Sequence, residues 1–217
     1  MAITAKICGL SEPSSLEAAL KHGADMVGFV FFPKSPRNVS VETAAALASR
    51  VPAERATCTG LFVDPDDDLL ARVLAQVPLG LIQLQGTETP ARCAAVRARF
   101  GRPVMKALGV AEAEDLEAAK AYEGPADRLL FDAKPPKGSD RPGGNATSFD
   151  WKLLAGGRRP TVPWLLAGGL TPDNVATAIR RAAAPGVDVS SGVETGAPGT
   201  KDPEKIRRFL EAARRAG

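Results

Sequence analysis

The stretch LLFDAKPP, residues 129–136, is apolar until Asp132, and a Lys-Pro-Pro stop follows at once. A strand fed by Leu129, Leu130 and Phe131 belongs inside a sheet, where an unpaired carboxylate costs on the order of several kcal/mol. Asp132 therefore calls for a setting shared with ligand and water. KICGL (6–10) ends a second apolar run on a thiol, Cys8, followed by Gly9. A buried cysteine is commonly a small hydrophobe, and that role stays open beside a reactive one. LAGGLTPDNV (166–175) and VDVSSGVE (187–194) suit an anion. Gly168 and Gly169 let backbone N–H groups approach it with no Cβ in the way, and Ser190, Ser191 and Gly192 add hydroxyls and another amide at a helix start. Either segment alone is equally an ordinary turn. In FFPKSPRNVS (31–40), Lys34 and Arg37 could bind an anion or simply be solvated, and Asp64, ending GLFVD, is a helix cap or a site residue. His22, the only histidine, precedes Gly23 at a helix end, where the helix dipole accounts for it. Cys58 and Cys93 are assigned to packing.

These groups can act together only if the chain brings them to one place. Apolar, β-branched runs alternate with Ala/Leu-rich amphipathic stretches from end to end, the pattern of an α/β protein. Strands are expected near 4–8, 26–31, 57–63, 80–85, 103–108, 127–132, 161–167 and 186–190. Helices are expected over 14–22, 41–50, 66–77, 89–100, 112–122, 173–184 and 201–216, with only a weak helical stretch around Trp151–Ala155. Ser14, Asp66, Thr89 and Asp173 stand at expected N-caps. Eight such units in one uninterrupted chain predict a single (β/α)₈ barrel over residues 1–217, with a doubly wound open sheet as the alternative. A side-chain period of two sends Ile7, Ile82, Leu84, Leu129, Phe131, Val187 and Val189 outward. It leaves Lys6, Cys8, Gln83, Gln85, Leu130, Asp132, Asp188 and Ser190 inward. The inward polar positions gather at the C-terminal strand ends, the face where barrel enzymes carry their active sites, which makes Gln83 and Asp188 candidates for substrate contact. The two glycine- and serine-rich loops follow strands seven and eight, where phosphate sites recur in barrels.

Composition narrows the function classes. The chain is 44% hydrophobic and 24% charged, without an apolar run near the roughly 20 residues of a membrane span. No export signal opens it, so the expected compartment is the cytoplasm. A net charge of +3, with both signs interspersed, does not suggest a nucleic-acid surface. Cys8, Cys58 and Cys93 lack metal-ligand spacing and are expected to be free thiols.

KICGL, GADMVGFVFFPKSPRNVS, GLFVD, IQLQG, LLFDAKPP, GGNATSFDW, LAGGLTPDNV and VDVSSGVE…PGTKD occur in one order along almost the whole chain. The ordered set resembles the phosphoribosylanthranilate isomerase family, enzymes of tryptophan biosynthesis that catalyse an Amadori rearrangement. The resemblance implies a (β/α)₈ barrel with no cofactor and no metal. It implies Cys8 as general base, Asp132 as general acid, Arg37 as a substrate-orienting cation, and phosphate at the loops carrying Gly168, Gly169, Ser191 and Gly192. The implied partner is a small phosphorylated substrate, with the chain a monomer or homodimer. Two positions depart from the family pattern: Gln85 stands where QLHG has a histidine, and Ala146 stands where another glycine is expected. Gln85 hydrogen-bonds but does not titrate. Asp132 should be pushed towards its protonated form by partial burial, and Cys8 towards thiolate by nearby cations such as Lys6. The nearest rival is a histidine-pathway isomerase that performs the same rearrangement with two aspartates; Cys8 on strand one argues against it. The rival of another class is a catalytically silent barrel that only binds a phosphorylated metabolite or a partner protein.

Overall fold

A computed structural model of the chain describes residues 2–134, 143, 148–155 and 160–217. Eight parallel strands close into a barrel in sequence order: β1 (Thr4–Cys8), β2 (Met26–Phe31), β3 (Thr57–Phe62), β4 (Leu81–Leu84), β5 (Val104–Val110), β6 (Arg128–Ala133), β7 (Trp164–Leu166) and β8 (Gly186–Val189). Pairing of β8 with β1, Thr4 opposite Gly186 and Lys6 opposite Asp188, excludes the open sheet. Helices α1 (Pro13–Lys21), α2 (Val41–Ala48), α3 (Asp67–Leu74), α4 (Pro90–Phe100), α5 (Ala113–Ala119), α6 (Val175–Ala182) and α7 (Pro203–Ala216) surround it. Between β6 and β7 the described residues form only a 3₁₀ turn, Trp151–Leu154. Pro135, Pro136 and Ala146 lie outside the described residues. No described helix is long and apolar enough to cross a membrane.

The period of two is kept. Ile7, Ile82, Leu84, Leu129, Phe131, Val187 and Val189 join one core with helix residues such as Leu16, Leu70, Ile179 and Phe209. A separate apolar plug of Met26, Leu81, Met105, Ala107, Leu130, Leu165 and Ala167 fills the barrel interior. Along β4 the inward series runs Leu81, Gln83, then Gln85 just past the strand; along β6 it runs Leu130, Asp132. The interior thus turns from apolar to polar towards the C-terminal rim, and the plug seals the other end.

Two N-caps differ from expectation. Pro13, pre-set for a first helical turn, starts α1 one residue early, so Glu12 is the cap and Ser14 lies inside the helix. The cap of α6 is Asn174, while Asp173 pairs with Arg208 on the surface at 2.7 Å. Asp66 and Thr89 cap α3 and α4 as expected. Asp64 is neither cap nor cleft residue: its carboxylate accepts the Thr87 N–H at 2.6 Å, latching the end of β3 to the loop after β4.

That loop carries a buried ion pair. Lys106 points away from the barrel interior, and its Nζ donates to Glu88 Oε2 at 2.8 Å and to the Gly86 carbonyl at 2.7 Å. Glu88 Oε1 accepts from the N–H groups of Asp64 and Gly86. Lys106→Met would strand the Glu88 carboxylate in a dry layer, so we expect a loss of about 3–5 kcal/mol, read as a lowered urea midpoint. Adding Glu88→Leu should recover part of that loss only, because two backbone donors then lose their acceptor.

Candidate active site

The inward polar groups open onto one cleft at the C-terminal strand ends, about 780 Å³ with its open mouth included. Cys8, Arg37, Gln83, Gln85, Asp132, Gly168, Gly169, Asp188, Ser190 and Ser191 all line it. Gly192 does not. A Cβ there would lie 1.8 Å from the Leu170 carbonyl oxygen, so that glycine lets the loops after β7 and β8 touch each other. Lys34 is exposed, on the solvated side of its loop.

Cys8, at the end of β1, is 3% exposed. Its Sγ packs closely against β2: a Cβ at Gly28 would meet Cys8 Sγ at 3.0 Å and Lys6 Nζ at 3.2 Å, a tight fit that glycine relieves. Lys6 is fully buried and donates to Asp188 Oδ1 at 2.9 Å. Burial works against the Lys6 charge, but Asp188 and Cys8 outweigh it and keep the amine an ammonium. The thiol departs from expectation. Burial pushes Cys8 up, Lys6 pulls it down by less, and the Asp188 carboxylate adds to the rise. The cation is in place, but desolvation outweighs it, so the resting cysteine is a thiol.

Asp132 is raised to about 7, by burial first and by Asp188 second, against the opposing pull of its hydrogen bonds and Lys6. Its Oδ1 accepts the Ala133 N–H at 2.8 Å, and its Oδ2 accepts Gln85 Nε2 at 3.2 Å. Gln83 Nε2 in turn donates to Gln85 Oε1 at 2.6 Å. Gln85 thus orients the Asp132 carboxyl without titrating beside it. Gly168 is required twice over: its φ is +86°, and a Cβ would lie 2.6 Å from the Ala133 nitrogen. Beyond it, Gly169 has φ +62°, and Asn174 ties the loop by accepting the Thr171 N–H at 2.8 Å and donating to the Gly169 carbonyl at 2.9 Å.

Arg37 is 5% exposed rather than solvated. Its guanidinium forks onto Glu194, Nε to Oε1 at 2.6 Å and Nη2 to Oε2 at 3.0 Å, and Lys201 Nζ reaches the same Oε1 at 2.9 Å. Sequence reasoning missed Glu194 and Lys201. Two charges seven residues apart in a loop have no periodicity to mark them as buried. Among the described residues, no group of three or more His, Cys, Asp or Glu could hold a metal ion. The cleft therefore presents a carboxyl raised to about 7, a thiol beside a fixed ammonium, a guanidinium and two glycine- and serine-rich loops. That set suits proton transfer on a bound anion.

Comparison with known proteins agrees with this geometry. A family model described as N-(5'phosphoribosyl)anthranilate (PRA) isomerase matches residues 5–212. N-(5'-phosphoribosyl)anthranilate isomerase of Paracoccus denitrificans is 62% identical over 213 residues, covering 98% of each chain. The enzyme of that name from Paramagnetospirillum magneticum is 56% identical over 99% of this chain and 98% of its own. Among solved structures, phosphoribosyl anthranilate isomerase from Thermotoga maritima superposes with a TM-score of 0.85 at 35% identity, covering 97% of this chain and 98% of its own. A phosphoribosyl anthranilate isomerase in complex with reduced 1-(o-carboxyphenylamino)-1-deoxyribulose 5-phosphate superposes with a TM-score of 0.83 at 34% identity, with the same coverage. With its barrel and nearly its full length matched, the chain belongs to the N-(5'-phosphoribosyl)anthranilate isomerase family.

Proposed function

We propose that the chain isomerises N-(5-phospho-β-D-ribosyl)anthranilate to 1-(2-carboxyphenylamino)-1-deoxyribulose 5-phosphate, with Asp132 as acid and Cys8 as base. Asp132 gives its proton to the furanose ring oxygen as the C–O bond opens to a Schiff base. Cys8, as thiolate, takes the C2 proton, leaving an enolamine. Tautomerisation to the ketone returns a proton at C1, and exchange with solvent resets the acid and the thiol. The loops of Gly168, Gly169 and Ser191 hold the phosphate, with Gly192 locking them together. Arg37 meets the anthranilate carboxylate, and Gln83 and Asp188 contact the substrate from the barrel floor. Phosphate at one end and Arg37 at the other keep the reacting carbons between acid and base.

The observation that carries this reading is the Asp132 carboxyl, raised to about 7 and held by Gln85 and Ala133 in the cleft that Cys8 lines. An acid whose pKa lies near neutrality is matched to its task. The test is the anthranilate fluorescence of freshly made phosphoribosylanthranilate after adding purified protein. We expect it to decay in proportion to enzyme. A signal unchanged by protein would leave the barrel a binder only.

A further inference from the structure

The loop after β8 carries a charge cluster that the reaction above does not use. Glu194 and Lys201 are 6% and 4% exposed, as enclosed as Arg37 itself. Lys201 Nζ donates to Glu194 Oε1 and also to the Ser190 carbonyl at 3.0 Å and Ser190 Oγ at 3.1 Å. Ser190 Oγ donates onward to the Cys8 carbonyl at 3.1 Å. Lys205 Nζ fixes the Glu194 carbonyl at 2.7 Å. Burial pushes the Glu194 carboxyl up, but Arg37 and Lys201 outweigh it and hold it ionised. Two cations therefore share one carboxylate, leaving an excess positive charge beside the cleft.

Backbone closes around Arg37 from both sides. Gly9 and Gly199 sit at φ +76° and +93°. A Cβ at Gly9 would meet Arg37 Cδ at 2.8 Å, and one at Gly199 would meet the Pro36 carbonyl oxygen at 2.4 Å. Glu194 takes the Nε and Nη2 edge of the guanidinium, and among the described residues Nη1 has no hydrogen-bond partner. We propose that Glu194, itself anchored by Lys201, is the positioning residue for Arg37, fixing the guanidinium so that its Nη1 side and the excess positive charge meet an organic carboxylate in the cleft. This rests on the reading that Arg37 faces the anthranilate end of the substrate. It adds that Arg37 alone does not make the carboxylate subsite.

The test separates the two ends of the substrate. Anthranilate and inorganic phosphate are used as inhibitors of Glu194→Gln, Lys201→Gln and Arg37→Lys variants. Misplacing a bound group by about 1 Å costs on the order of 10²-fold. We therefore expect Glu194→Gln to raise the anthranilate inhibition constant and the substrate KM by about tenfold or more, while the phosphate constant stays unchanged. Lys201→Gln, which keeps the fork, should move the same ratio in the same direction by less, and it carries the test if Glu194→Gln does not fold. In an Arg37→Lys background the fork is already lost, so Glu194→Gln should add little, a non-additivity that a loop merely held together would not show. Equal weakening of both inhibitors, or additive losses in the double variant, would overturn the positioning role. If Arg37→Lys itself leaves anthranilate inhibition untouched, the placement of Arg37 on the carboxylate fails instead.

Discussion

Asp132→Asn is expected to lower kcat by roughly 10²–10⁴-fold, the contribution of one positioned acid, while a reduced product analogue still binds with wild-type Kd. The substitution removes the transferable proton with little change of shape. The new side chain would keep the Ala133 N–H on its Oδ1, but its amide would face the Gln85 amide, donor against donor. Gln85 can rotate its side-chain amide by half a turn, and Gln83 can follow, because Gln83 Oε1 is buried and has no hydrogen-bond partner to lose among the described residues. The fold should therefore tolerate the change, so that lost activity reports lost chemistry. Wild-type turnover in the variant would remove the explanation for a carboxylate at the end of an apolar strand.

Residues that alternate along a strand were open to reading from sequence, because the period of two fixes their face independently of their partners. That alternation sends Lys6, Gln83, Asp132 and Asp188 inward, and the described barrel puts them there. Partners were not open to reading in the same way. Arg37 carries the same charge whether solvated or forked onto Glu194, and nothing in residues 31–40 names a carboxylate 157 positions away. Lys106 sits in an apolar run as an anomaly, and its explanation, Glu88, is supplied by another loop. The crowding that requires a glycine at Gly192 comes from Leu170, which is distant in sequence. The Cys8 thiol was harder still. Its protonation is set by a balance between burial and a neighbouring ammonium, and sequence shows the ammonium but not the depth.

That balance decides the form of the pH profile, and Cys8→Ala tests it. The proposed reaction needs Asp132 protonated and Cys8 ionised, yet Asp132 is raised only to about 7 and Cys8 lies above its ordinary value, so the carboxyl loses its proton first. Below about 7 most molecules hold both protons and the thiolate becomes scarce. At higher pH one proton is shared, and a minority of that population carries it on Asp132 with Cys8 as thiolate. Activity then falls again as pH rises through the Cys8 ionisation. The kcat/KM profile of the wild-type enzyme is thus expected to be a bell whose acid limb, near 7, is set by the ionisation of Asp132, although the reaction needs Asp132 protonated. Removing either group should expose the other. Cys8→Ala is expected to lose roughly 10²–10⁴-fold in kcat, with residual activity falling as pH rises through about 7, because only the acid remains. Asp132→Asn should behave oppositely, its residual activity rising with pH towards the Cys8 ionisation. The same change at Cys58 or Cys93, both buried between strands and helices, should leave activity and profile alone. An acid limb near 7 that persists in Asp132→Asn would assign it to another group, and normal turnover by Cys8→Ala would make the thiol a packing residue.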